Sequence, residues 1–115
     1  MNELENRCIS FSVAIRLIIK TLPKNLGNNE DGKQVIRSSG SIGANYIEAN
    51  ESLGDKDKLM KLRISRKEAK ETVYWLTILE RTNTEMNTEI IRLNNEAEEL
   101  RKIFSAIILK LSDKK

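Results

Sequence analysis

The sequence contains no histidine and a single cysteine, Cys8. The absence of histidine excludes a Ser-His-Asp triad, a histidine zinc site and the most common general base. One cysteine permits neither an intramolecular disulfide nor a cysteine-cluster metal site. The carboxylates form no Glu-x-x-His pair, and no Gly-rich phosphate loop is present. We therefore expect a protein that is not an enzyme and that carries neither a metal ion nor a cofactor.

Proline and glycine are also scarce, with one proline and five glycines in 115 residues. This composition favours long helices over a fold of strands and turns. Hydrophobic residues make up 39% and charged residues 32%, which is typical of a globular chain. The length predicts a single domain over residues 1–115.

The chain also lacks a long apolar run and a basic, then apolar, N-terminus. Its most apolar early stretch, residues 11–22, carries Arg16 and Lys20 and is too short to span a bilayer. We therefore expect a cytosolic protein with no membrane partner.

Hydrophobic periodicity predicts four helices, at about residues 6–22, 32–53, 56–81 and 85–111. Pro23 is expected to end the first helix, and the polar run 24–31 to form a loop. Gly54 is expected to cap the end of the second helix, with Asp55 or Asp57 capping the next. Short connections between such helices predict an all-α, antiparallel up-and-down four-helix bundle, followed by a polar tail of Lys114 and Lys115.

Apolar stripes indicate which helix faces form the core. The stripe of the first helix is Phe11, Ala14, Ile15, Ile18 and Leu22. That of the second is Val35, Ser39, Ile42, Tyr46, Ala49 and Leu53. The fourth repeats every three or four residues, at Ile90, Leu93, Ala97, Leu100, Phe104, Ile107 and Leu111. Beside the second stripe, Gly40 and Gly43 are expected to admit a neighbouring helix backbone, with Ser38 and Ser39 as small packing residues.

The third helix is apolar on two sides. Its core face is Leu59, Leu62, Ala69, Val73 and Leu76. A second flank comprises Met60, Ile64, Trp75 and Ile78. A bundle core needs one stripe, so we expect this flank to form an interface between subunits. Trp75 is interpreted as a packing anchor in preference to a base-stacking platform.

Charge is concentrated on the third helix, where residues 56–70 contain seven basic residues and two acids. Lys56, Arg63, Lys67 and Lys70 share one ridge, which suits phosphate binding; an ordinary solvated face is the alternative. Arg66 falls near the core stripe and is expected to meet a carboxylate, for which Glu48 is the candidate.

The segment from Arg37 to Asn50 resembles the R-x-x-x-S-I-x-x-N-x-x-E hallmark of a bacterial four-helix-bundle family. The matching residues are Arg37, Ser41, Ile42, Asn45 and Glu48. This family includes proteins encoded within intervening sequences of 23S ribosomal RNA genes and the accessory variability determinants of diversity-generating retroelements. The resemblance implies a ring-shaped homopentamer whose basic surface meets nucleic acid or a nucleic-acid enzyme such as a reverse transcriptase.

Together, the residues and the resemblance predict an oligomeric binding protein that engages structured RNA, DNA or a ribonucleoprotein. The predicted contact residues are Arg37, Lys56, Arg63, Lys67 and Lys70. The alternative is a protein-interaction scaffold that makes no direct contact with nucleic acid.

Overall fold

Three short connections join four α-helices in the computed structural model, which describes residues 1–113. The helices are α1 (Glu3–Thr21), α2 (Leu26–Asn50), α3 (Asp55–Thr82) and α4 (Thr88–Asp113). One 3-10 turn, Thr84–Met86, precedes α4, and no strand occurs in the described part of the chain. The predicted all-α fold of four helices is confirmed. The predicted tail, Lys114 and Lys115, lies outside the described residues.

Contacts between helix ends show that α2 and α3 run antiparallel. Asn28 near the start of α2 hydrogen-bonds Asn83 just beyond α3, whereas Glu48 near the end of α2 bonds Lys61 near the start of α3. Helix α4 packs on α3 and closes the bundle against α1. The result is a rod of 48 × 22 × 20 Å whose long sides are helix faces.

The predicted stripes form the core with local exceptions. In α4 six of the seven predicted residues are buried, but Ile107 is half-buried and Ile108 is buried in addition. A strict seven-residue repeat drifts around a straight helix of 3.6 residues per turn, which accounts for this change. Val73 is likewise only half-buried. The prediction for Leu53 is wrong, because α2 ends before it and its side chain is fully exposed.

The predicted loop at residues 24–31 is wrong, because α2 begins at Leu26. Asn25 caps the helix: its side-chain oxygen accepts a hydrogen bond from the Asn28 backbone N–H at 2.8 Å. The polar residues that resemble a loop in the sequence thus supply a helix cap and, in Asn28, a buried side chain. Helix α1 also begins earlier than expected, at Glu3, behind a capping box of Asn2 and Glu5.

The expected role of Gly54 is also wrong. Helix α2 ends at Asn50 with Glu51 as its C-cap, and Gly54 instead lies at the N-cap of α3 in extended backbone, with φ −153°. Asp55 and Asp57 follow within the first turn of α3 and do not cap it. Their negative charges stabilise that end of the helix through the helix dipole.

Small residues let α1 and α2 approach closely. A Cβ atom built on Gly43 would lie 2.9 Å from the Cβ of Cys8, whereas one on Gly40 would meet only the Nη2 end of Arg16, at 3.4 Å. Close packing is therefore confirmed for Gly43. Ser38 and Ser39 are fully buried, as expected, and Ser38 accepts a 2.8 Å hydrogen bond from the Thr72 hydroxyl of α3.

No helix within residues 1–113 combines the length with the apolar character that a membrane span requires.

Candidate nucleic-acid interface

The outer face of α3 carries the basic residues. Lys56, Arg63, Lys67 and Lys70 are exposed, while Leu62 and other residues of the opposite face are buried against α2 and α4. At about 100° per residue, the four basic residues lie within a narrow sector of the helix. Core packing of the opposite face therefore presents this ridge to solvent.

A groove of about 350 Å³ runs between α3 and α4 beside this ridge. We call it the basic groove; its lining is Arg63, Arg66, Lys67, Lys70, Arg101 and Ser105. Five cationic side chains and one hydroxyl line it, and no carboxylate does. Guanidinium groups bind phosphate through paired hydrogen bonds and lysine binds it as a point charge. The groove thus has the donors and the charge needed to hold phosphate groups.

The cations of the groove differ in how far their charge is balanced. Arg101 forms an ion pair of 2.8 Å with Glu98. Within residues 1–113, no carboxylate forms an ion pair with the other four, which are Arg63, Arg66, Lys67 and Lys70. Like charges on adjacent helix positions repel one another, so an anion in this groove would relieve repulsion as well as gain attraction.

Elsewhere on the bundle, some cations are paired within the chain, whereas others, such as Lys20 and Lys24, form no ion pair within residues 1–113. Arg7 donates two hydrogen bonds of 2.8 Å to Glu96, and this interaction raises the pKa of the Arg7 guanidinium. Lys61 donates to Glu48 at 2.8 Å, which raises the pKa of its ammonium group. The acids of these two pairs, Glu96 and Glu48, thus balance cations outside the basic groove.

The structure brings together three of the five predicted contact residues, Arg63, Lys67 and Lys70. Lys56 is exposed at the start of α3 and does not line the groove. Arg37 of α2 forms ion pairs with Glu71 and with the buried Glu68. Its charge is therefore balanced by two carboxylates of α3.

The expectation that Glu48 pairs with Arg66 is wrong, since Glu48 bonds Lys61 and Arg66 lies at the edge of the groove. Arg66 is half-buried because it sits at the margin of the core face. Arg66 follows Arg63 by three residues and precedes Lys70 by four, and this spacing could have predicted that it joins them in the groove. Arg101 joins the groove through the packing of α4 on α3, which local sequence spacing does not reveal.

The residues predicted to form the subunit interface differ in how far they are buried within their own chain. Met60 is 53% exposed, whereas Ile64, Trp75 and Ile78 are half-buried. Trp75 packs against the core, and its indole N–H is shielded from solvent without an acceptor in the described residues. Trp75 is therefore at least in part a packing residue of the single bundle.

A second exposed apolar surface was not predicted from the sequence. Ile9, Val13 and Leu17 form a stripe along the outside of α1, with 40, 50 and 57% of their surface exposed. Beside it, a groove of about 380 Å³ between α1 and α2 is lined by small and apolar side chains, among them Ala44 and Ile47, and by Arg16. The spacing of four residues between Ile9, Val13 and Leu17 is the sequence pattern that could have revealed this stripe. Contiguous apolar surface of this kind typically marks a protein interface.

Comparisons with known proteins give one family. A family model described as 23S rRNA-intervening sequence protein matches residues 2–106. A crystal structure from Bacteroides thetaiotaomicron VPI-5482, described as a protein of unknown function from the S23 ribosomal protein family, superposes with a TM-score of 0.79. It shares 33% sequence identity, and the match covers 90% of this chain and 96% of that chain. The comparison with curated proteins gave no significant match.

Proposed function

The chain belongs to the family of 23S rRNA-intervening sequence proteins, and on that premise we propose that it is a non-catalytic protein that binds structured RNA in the basic groove. The RNA is bound alone or as part of a ribonucleoprotein. A retroelement reverse transcriptase with its bound template RNA would be a partner of this type. The bundle supplies a rigid support for the groove, and Arg63, Lys67 and Lys70 supply the contacts to phosphate.

The observation that carries this proposal is the unbalanced charge of the basic groove. Arg63, Arg66, Lys67 and Lys70 lie without ion-pair partners in residues 1–113, although acids are available to the chain and pair elsewhere. Nucleic-acid backbones are the common polyanions that match such a row, and their binding releases condensed counterions. An ordinary solvated face would intersperse both signs of charge.

The proposal also includes self-association into a closed ring. A homopentamer is the assembly that the resemblance to the family implies. It would repeat the basic groove around one particle and multiply its affinity for a long RNA. The apolar stripe of Ile9, Val13 and Leu17 supports this part, together with the exposed Met60 of α3. Replacing Val13 with Glu should reduce the mass found by light scattering, whereas replacing the exposed Glu3 with Gln should not. An unchanged mass would exclude this stripe from the interface.

A protein-interaction scaffold is the second candidate, since the same apolar stripe of α1 suits a polypeptide partner. Binding through such a surface responds little to salt, because burial of apolar groups does not depend on phosphate neutralisation. The two functions therefore differ in which surface carries the binding and in the response to ionic strength.

The test of RNA binding is a triple variant, Arg63→Glu, Lys67→Glu and Lys70→Glu. We expect it to lose affinity for a structured RNA by at least tenfold while retaining its helical content and its mass. The matched control, Lys20→Glu, Lys24→Glu and Lys110→Glu, makes the same change in net charge at exposed positions outside the groove. Equal losses of RNA affinity in both variants would show that net charge alone causes the effect. Unchanged affinity in the groove variant would exclude the groove as the RNA-binding site.

A further inference from the structure

One aromatic side chain lies outside the bundle, next to the basic groove. The chain has five aromatic residues, all within the described residues: Phe11, Tyr46, Tyr74, Trp75 and Phe104. Tyr74 is 59% exposed, and the others are buried or half-buried. Its position is therefore not explained by the core of the bundle.

Tyr74 continues the line of basic residues along α3. It follows Lys70 by four residues and Lys67 by seven, which places it about 6 Å and about 10 Å farther along the helix axis. These spacings keep Tyr74 within about 40° of both lysines around the helix. Phosphates held by the two lysines would therefore bring the adjoining nucleotide to the ring of Tyr74.

The ring of Tyr74 is held in place by its neighbour. The Trp75 ring meets it edge to face, with centroids 4.9 Å apart and an angle of 78° between the ring planes. Such contacts stabilise an aromatic pair and restrict its rotation. A tyrosine has few rotatable bonds to immobilise, so an exposed and braced ring is a favourable platform for stacking.

From this arrangement we propose that Tyr74 stacks on an unpaired base while Arg63, Lys67 and Lys70 hold the adjoining phosphates. The inference rests on the proposed RNA-binding function and specifies its ligand as RNA with unpaired nucleotides, such as a loop, a bulge or a single strand. In a duplex the bases already stack on each other and their faces are closed to a side chain. The basic residues alone accept either form, whereas Tyr74 selects the unpaired one.

The experiment measures fluorescence anisotropy with three RNA probes of equal length, about 12 nucleotides, within the range of single-strand site sizes. One is an unstructured strand, one is that strand in a duplex, and one is an abasic strand with the same phosphates. We expect Tyr74→Ala to weaken binding of the unstructured strand about 5- to 100-fold. On the abasic strand and on the duplex it should bind as the wild type does.

Two further variants separate stacking from structural effects. Tyr74→Phe keeps the ring and should bind the unstructured strand within about twofold of the wild type. Tyr74→Leu keeps an apolar contact with Trp75 but has no ring, and should lose affinity as Tyr74→Ala does. A 2-aminopurine base in the strand should be quenched by the wild type and by Tyr74→Phe only.

The outcomes distinguish this inference from the proposed function. If the wild type binds strand and duplex alike and Tyr74→Ala changes neither, stacking is overturned and RNA binding stands. Equal losses by Tyr74→Ala on the base-bearing and abasic strands also overturn stacking. If the wild type binds none of the three probes in 50 mM salt, stacking is overturned, and the triple-variant experiment with a structured RNA decides RNA binding separately.

Discussion

Asn28 and Asn83 exchange two side-chain hydrogen bonds of 2.9 Å inside the bundle, although 55 residues separate them in the chain. Asn28 also donates to the Pro23 carbonyl, and Asn83 to the Leu79 carbonyl, each at 2.9 Å. Both side chains are more than nine-tenths buried. The pair therefore joins the α1–α2 connection and the start of α2 to the end of α3.

Replacing Asn28 with Ala should destabilise the fold by about 1–3 kcal/mol, because the buried amide of Asn83 loses its partner. Chemical denaturation followed by circular dichroism measures this change. Asn29→Ala, at the exposed neighbouring position, should stay within about 0.5 kcal/mol of the wild type. A double Ala variant should cost less than the sum of the two single changes, and strict additivity would contradict the coupling of Asn28 and Asn83.

Two glycines of α2 should respond oppositely to replacement by Ala. At Gly43 the new methyl group would meet the Cβ of Cys8 at 2.9 Å, so α1 must move, and we expect a net loss of about 1–2 kcal/mol. At Gly40 the nearest atom is the flexible end of Arg16, so the gain in helix propensity, about 1 kcal/mol at most, should dominate. Thermal unfolding of both variants measures the difference. Equal effects would contradict the close approach at Gly43.

Cys8 should be unreactive in the folded protein. Burial raises the pKa of its thiol from 9.0 to about 11, and the Glu96 carboxylate acts in the same direction. At pH 8 iodoacetamide should alkylate the native chain far more slowly than the unfolded chain, because the reagent requires an accessible thiolate. Mass spectrometry over time measures both rates, and equal rates would place the thiol at the surface.

The same thiol gives stability a dependence on pH. Between pH 9 and 11 the unfolded chain releases a proton that the folded chain retains. The contribution of Cys8 is therefore intact below pH 9 and declines as the pH rises through 11. A Cys8→Ala variant should lack this part of the decline in denaturation experiments.

Arg37 should matter more for stability than for RNA binding. Its replacement by Ala leaves the buried carboxylate of Glu68 without its cation, and we expect a loss of about 1–3 kcal/mol given the partial exposure of Arg37. Adding Glu68→Gln should recover much of this loss, since the buried charge is then removed. Lys33→Ala, which breaks only the exposed pair with Glu30, is the control and should cost less than about 0.5 kcal/mol. A large loss of RNA affinity without loss of stability would instead indicate that Arg37 contacts the RNA.

Most of the fold could be predicted because helical periodicity is a local signal. The apolar stripes of α1 and α4, and the packing role of Gly43, follow from residue spacing alone. The start of α2 could not be predicted in this way. In the sequence, Asn25 and Asn28 suit a loop as well as the start of a helix. Only the hydrogen bonds with Asn83, 55 residues away, make Asn28 a buried helical residue.

The candidate site was predictable to a smaller extent. Spacing along α3 groups Arg63, Lys67 and Lys70, but it does not reveal which cations are balanced by acids on other helices. Arg37 meets Glu68 and Glu71 only when α2 packs on α3. Helix packing likewise brings Arg101 to the groove. The unpaired charge, which carries the functional proposal, is a tertiary property.

The most direct test of the basic groove is the salt dependence of RNA binding by the wild type and by the triple variant at Arg63, Lys67 and Lys70. Three to four phosphate contacts predict that raising salt from 50 to 200 mM weakens wild-type binding about 20- to 50-fold. The slope of log Kd against log salt should be smaller for the triple variant, by about 0.7 for each contact removed. Wild-type binding that is insensitive to salt, or equal slopes for both proteins, would contradict the account.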